Sequence, residues 1–125
     1  MHKEIKLARA HCIKECRKWQ TVLNELRTRN VQLKEQLSQA IKGDVSLSFV
    51  EQAEIFQQKF VEKDQILELL RHDVRAMLDK LLEHGITGTV ERQYSLLKKD
   101  IAKLMDEFYQ MEMSFSEFVA SNKNK

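Results

Sequence analysis

Residues 90–118 read VERQYSLLKKDIAKLMDEFYQMEMSFSEF, and the spacing of their apolar side chains decides the fold. Apolar residues recur there at alternating steps of four and three: Val90, Tyr94, Leu97, Ile101, Leu104, Phe108, Met111, Phe115 and Phe118. This spacing puts every member on one face of a helix, in the a and d positions of a coiled-coil-like seam. The stretch therefore predicts one long helix with a single buried face.

The two preceding segments carry the same spacing. The seam of the middle segment consists of Phe49, Ala53, Phe56, Phe60, Lys63, Leu67, Leu70, Val74, Met77 and Leu81. The seam of the first segment consists of Ile5, Ala8, Cys12, Cys16, Trp19, Leu23, Leu26, Asn30, Leu33, Leu37 and Ala40. Between Ala8 and Trp19 the steps are four, four and three, which predicts a local unwinding of the supercoil.

Two breaks that contain glycine separate these segments. In KGDVSLS, Gly43 is predicted to end a helix, and the pattern S-x-x-E that starts at Ser48 is typical of a helix N-terminus. In HGITGT, Gly85 suits the left-handed residue that follows a helix, and Thr89 is the predicted N-cap of the next one. The sequence thus predicts three helices rather than one.

The predicted helices cover about residues 3–41, 48–83 and 89–121, and all belong to one domain over residues 1–125. The chain has no proline and three glycines, so long uninterrupted helices are expected. Short loops make consecutive helices antiparallel neighbours. The expected fold is all-α, an antiparallel up-down-up three-helix bundle with coiled-coil-like packing and long helices.

Composition and charge narrow the class of protein. No apolar run approaches the ~18 residues of a membrane span, and the first residues lack the apolar core of a signal peptide. Two cysteines without such a signal predict a reducing compartment, most simply the cytoplasm. The net charge of +2 is small, and the basic residues of the first helix spread around it with acidic residues between them. We therefore expect neither a nucleic acid nor a membrane as partner.

Aromatic volume and charge bear on how the helices associate. One tryptophan and six phenylalanines must be buried, and this can happen in two ways: through wide apolar stripes on the helices, or through a second copy that covers one face as a homodimer. Residues 1–42 carry a net charge of +6 and residues 43–85 a net charge of −4, so the first two helices are complementary. The basic start of the first helix is predicted to lie beside the acidic end of the second; the residues concerned are Lys3, Lys6, Arg9, Asp79 and Glu83.

Residues 11–19, HCIKECRKW, hold the densest group of reactive side-chain types. Cys12 and Cys16 fall on the apolar seam with Trp19, and buried free cysteine usually behaves as a small hydrophobic residue. Their Cβ atoms are ~5–6 Å apart in a helix, which is too far for a disulfide. We predict core packing rather than redox chemistry for both thiols.

A metal site is the other chemical interpretation of this stretch. His11 and Glu15 are one helical turn apart, and antiparallel counting puts Asp79 at a similar height on the second helix. His11 and Glu15 flank the seam, however, which favours an exposed surface pair. We therefore predict no metal, no cofactor and no catalytic residue.

Two polar residues interrupt the apolar seams. Asn30 and Lys63 lie at similar heights when residues are counted around the first loop. A buried polar residue at one such position can fix register or oligomeric state at a cost in stability, so Asn30→Leu is predicted to raise thermal stability. Lys63 has the further option of extending its ammonium group to water.

Three stretches resemble a family of small, uncharacterised bacterial helical-bundle proteins: HCIKECRKWQTVLNEL, FVEQAEIFQQKFVEKDQILELLRHDVRAML and MDEFYQMEMSFSEFV. The resemblance implies a helical bundle and no assigned activity. The early histidine is loosely similar to that of hemerythrin-like bundles. The repeated His-x-x-x-His and Glu ligands of such bundles are missing here, so metal binding is not implied.

The sequence predicts a non-enzymatic bundle that acts through protein–protein contacts, with a protein partner or a second copy of itself. Apolar residues beside the second seam, Ile55, Ile66 and Leu69, are the predicted interface. The alternative is a metal- or thiol-based sensor that uses His11, Glu15, Cys12 and Cys16.

Overall fold

Three helices make up the protein. The computed structural model describes the backbone of residues 2–123 and the side chains of residues 8–122. Helix α1 spans His2–Ala40, α2 spans Leu47–His84 and α3 spans Gly88–Lys123. Within these residues there is no strand, and the helices pack against each other. The all-α three-helix bundle is confirmed, with each helix boundary within two residues of its predicted position.

Contacts between the helices establish their directions. Arg9 of α1 contacts Leu81 near the end of α2, whereas Asn30 contacts Phe60 in the first half of α2. The contacts between α2 and α3 run in the same reversed order, from Lys80 with Gln93 to Lys63 with Glu107. Consecutive helices are therefore antiparallel. No described helix has a stretch that is long and apolar enough to cross a bilayer.

The buried face of each helix is its predicted seam. Every seam residue of α2 and α3 is buried or partly buried. Helix α1 agrees with the prediction along most of its length, but Ala8 is exposed. Its neighbour Arg9 already contacts Leu82, two residues before α2 ends at His84, so little of α2 remains to cover Ala8. Ile5 lies outside the described side chains.

Trp19 and the six phenylalanines are buried or partly buried within a single chain. Phe49 stacks on Phe118 at 4.6 Å between ring centroids, and Trp19 stacks on Tyr94 at 5.3 Å. Wide apolar stripes on the three helices therefore hold these rings, and their burial does not require a second copy. Backbone contacts are most frequent between α1 and α2 and least frequent between α1 and α3.

Both predicted N-caps are wrong by two residues. The Ser46 hydroxyl accepts a hydrogen bond from the Phe49 amide at 3.1 Å, so Ser46 rather than Ser48 caps α2. The Thr87 hydroxyl likewise accepts from the Val90 amide at 3.2 Å and takes the place predicted for Thr89. Residues two apart offer the same hydroxyl in each loop, so capping chemistry alone does not choose between them.

The two loop glycines behave differently. Gly85 has a φ of 72°, as the sequence predicts for the residue after a helix, although its ψ of −159° lies outside the left-handed helical region. Ile86 then packs against the core. Gly43 has no positive φ and lies beyond the end of α1 at Ala40, so its predicted role as a helix terminator is wrong.

Arg9 binds the end of α2 in a way that differs from the prediction. Its guanidinium donates to the carbonyl oxygens of Leu81 and Leu82, each at 2.7 Å, rather than to Asp79 or Glu83. The last carbonyls of a helix have no helical partner and carry partial negative charge, so a cation there is favourable. The side chains of Lys3 and Lys6 lie outside the described residues.

Candidate functional site

The two cysteines face the interior. Cys16 is 0% exposed and Cys12 is partly buried, and both are free thiols. Burial raises the pKa of Cys16 to about 11, with smaller contributions from Cys12 and Glu15. Burial also raises the pKa of Cys12. Both thiols are thus protonated at neutral pH, and a thiol reacts as a nucleophile or binds metal only as the thiolate.

Tyr94 of α3 completes this cluster, and sequence reasoning missed its polar end. The Cys12 thiol is the polar neighbour of its hydroxyl, but the contact lacks the geometry of a hydrogen bond, and the buried oxygen has no other partner among the described residues. Burial raises the pKa of Tyr94, and the nearby Cys12 adds to the effect. A tyrosine within a seam of aliphatic and phenylalanine side chains was the available signal.

The protonated state of Cys16 leads to a prediction about reactivity. Its pKa of about 11 against an ordinary 9.0 leaves roughly 100-fold less thiolate at neutral pH than in the unfolded chain. We expect a thiol-specific disulfide reagent to modify Cys16 at least about 100-fold more slowly in the native protein than in denaturant, because burial also blocks access. The Cys12→Ser variant isolates the Cys16 signal, and two fast-reacting thiols in the native protein would contradict the prediction.

The same pKa predicts a pH dependence of stability. The folded-state pKa of Cys16 is raised, so the folded protein holds this proton more tightly than the unfolded chain does. Its contribution to stability is fully present below about pH 9 and is lost as the pH rises towards 11. Urea unfolding over this range, compared with that of Cys16→Ala, measures the difference.

His11 and Glu15 form a surface pair. The His11 Nε2 and Glu15 Oε1 atoms are 3.7 Å apart, and the His11 side chain is 62% exposed. In the part of the chain that the structure describes, no three histidine, cysteine, aspartate or glutamate side chains lie close enough to share a metal ion. Asp79 therefore does not join this pair.

Asn30 is the one fully buried polar side chain of the described core. Its Nδ2 donates to the Phe60 carbonyl oxygen at 2.9 Å and to Asp64 Oδ1 at 2.7 Å. The Lys34 ammonium binds the other oxygen of Asp64. The Asn30 Oδ1 atom has no partner among the described residues. These contacts join α1 and α2 at a single register.

Lys63 extends the same polar layer to α3. Its ammonium pairs with Glu107 at 3.2 Å, while most of its side chain is buried. Asn30 contacts residues on both sides of Lys63, which confirms that the two polar seam positions lie at similar heights. Sequence reasoning missed Asp64 and Glu107, whose charges next to polar seam positions were the available signal.

The predicted interface residues lie on an exposed flank of α2. Ile55, Ile66 and Leu69, which we call the α2 flank, are between 36% and 61% exposed. Their spacing keeps them within a sector of about 60° of the helix surface. Lys63 lies one turn before Ile66 and pairs with α3, so the α2 flank lies on the side of α2 next to α3.

Comparison with protein-family models, with curated proteins and with solved structures finds no significant match to this chain. The resemblance to bacterial helical-bundle proteins therefore stays a prediction from the sequence.

Proposed function

We propose that this chain is a non-enzymatic, cytoplasmic helical bundle that binds a protein partner through the α2 flank. The observation that carries the proposal is the exposure of Ile55, Ile66 and Leu69 on one flank, while the seam residues of the same helix are covered. Large apolar side chains that are grouped on one exposed surface are typical of interaction sites. The protonated state of the thiols supports this function over the thiol-based sensor.

The spacing of the flank favours a helical partner. Ile66 and Leu69 are one turn apart and Ile55 lies three turns before Ile66, so the three occupy the i, i+11 and i+14 positions of one helical surface. The exposed surface of α2 around them carries charges of both signs, Glu62, Asp73 and Lys59. The partner that this surface fits is an amphipathic helix with apolar anchors and flanking charges of both signs.

Charge substitution on the flank tests the proposal. The purified chain, immobilised, is used to capture proteins from an extract of its source organism, alongside a double variant, Ile66→Glu with Leu69→Glu. Val31→Glu, on α1, is the matched control because Val31 is also exposed. We expect one protein to be retained by the native chain and the control but lost with the double variant, and to bind again as a purified pair.

Two results would contradict the proposal. One is an identical set of captured proteins for all three forms, since the flank then contributes nothing. The other is a stoichiometric metal or two fast-reacting thiols in the purified native protein, which would favour the sensor. Circular dichroism of each variant checks that the helices are retained.

A further inference from the structure

We propose that α3 pairs with the α3 of a second copy of this chain, antiparallel, through an exposed stripe on its outer face. The stripe consists of Met105, Tyr109 and Met113, and we call it the α3 stripe. The inference is independent of the α2 flank and of any partner bound there.

The α3 stripe is a continuous apolar surface at helical spacing. Its members are four residues apart and are between 43% and 56% exposed. Glu112 lies next to Met113 and binds Arg29 of α1, with one oxygen 2.9 Å from the Arg29 Nε atom. The stripe therefore lies on the α1 side of α3, away from α2 and its flank.

Charge divides α3 into two halves around this stripe. Residues 88–103 carry four basic and two acidic side chains, whereas residues 104–122 carry four acidic side chains and no basic one. The basic side chains Lys98 and Lys99 make no ion pair with the described residues, and neither does Glu117. These charges are available to a partner.

The division of charge along α3 determines which partner fits the α3 stripe and the direction in which the partner helix runs. A second copy placed parallel would set acidic half against acidic half, which is unfavourable. A second copy placed antiparallel sets each acidic half against a basic half, and the same surface then serves both chains about a two-fold axis. The chain thus carries the complement of its own α3 stripe.

The midpoint of α3 gives the register. Helix α3 spans Gly88–Lys123, so a two-fold axis at its centre lies between residues 105 and 106. Met105 then packs against Met105 of the second copy, and Tyr109 packs against the small Ala102. Glu117 comes within about one helical turn of Lys98 of the second copy, so two of the available charges approach each other. The small Ala102 leaves room for the ring of Tyr109, as interdigitating helices require.

Two measurements test the pairing. Sedimentation velocity over a concentration series is expected to show a species of twice the 14.8 kDa chain mass that weakens with added salt. Met105→Glu sets two like charges against each other at the axis and is expected to weaken the dimer by at least about tenfold. Val31→Glu, at a similarly exposed position of α1, is the matched control and is expected to leave the dimer intact.

Disulfide trapping tests the direction. Met105→Cys is expected to cross-link to itself under mild oxidation, whereas Met113→Cys is not, because the antiparallel register separates the two Met113 positions by ~22 Å. The native chain, with its two inward-facing thiols, is the control for background cross-linking. A monomer at every concentration, a dimer lost with Val31→Glu but kept with Met105→Glu, or equal cross-linking at both positions would each overturn the proposal.

Discussion

Replacing Phe60 by alanine is expected to lower the free energy of unfolding by about 3–5 kcal/mol. The ring is fully buried, and it packs edge-on against Phe115 at 5.2 Å and beside Phe56 at 6.3 Å. Its removal leaves a cavity where α2 meets α3, at the height of the buried Asn30 contact. Urea unfolding followed by circular dichroism measures the loss from the shift of the midpoint at unchanged slope.

Phe56→Ala is the matched control for this prediction. Phe56 is the same residue type, one turn earlier on the same helix, but it is only partly buried. Phe56 buries less apolar surface than Phe60 does, so its replacement is expected to lower the free energy of unfolding by a smaller amount. Equal losses for the two variants would show that the buried position of Phe60 has no special weight.

Replacing Asn30 by aspartate is expected to destabilise the protein by about 3–5 kcal/mol at neutral pH. The new carboxylate would be buried and would lie against Asp64, which the Asn30 amide contacts at 2.7 Å. Burial and a like charge both raise the pKa of the new carboxyl above its unfolded value. The penalty is therefore smallest below about pH 4 and grows as the pH rises towards the folded-state pKa. Thermal unfolding of the native protein and the variant across this range tests the sign.

Asn30→Leu has the opposite expected effect and serves as the control. The substitution removes the Asn30 Oδ1 atom, a buried acceptor that has no partner. The two acceptors of the Asn30 amide keep other contacts, because Asp64 still binds Lys34 and the Phe60 carbonyl lies within helix α2. We expect a higher melting temperature, because a buried polar contact contributes less than well-packed apolar volume. A clear fall in melting temperature with an unchanged mass would contradict this.

The fold was predictable because its signal is local. The steps of four and three from Val90 to Phe118 require no knowledge of any other helix, and the structure buries each of those positions at least partly. The helix caps were less predictable, since Ser46 and Ser48 are chemically identical and differ only in where the chain turns.

The candidate sites were predictable to different degrees. Apolar residues beside the α2 seam, such as Leu69, were expected to be exposed, and they are. The α3 stripe was not recognised, because Met105 is apolar and close to the α3 seam, and its distance from α1 depends on how α3 is rotated. In the sequence the stretch HCIKECRKW resembles a reactive site, yet in the structure its thiols face the core and His11 faces solvent.

The sequence by itself determined the helices, their buried faces and the polar positions at Asn30 and Lys63, because helical periodicity relates residues three and four apart. The tertiary structure decided the partners: Asn30 with Asp64, and Cys12 with Tyr94. A partner depends on the relative height and rotation of two helices, which many side chains set together through packing and no single spacing encodes.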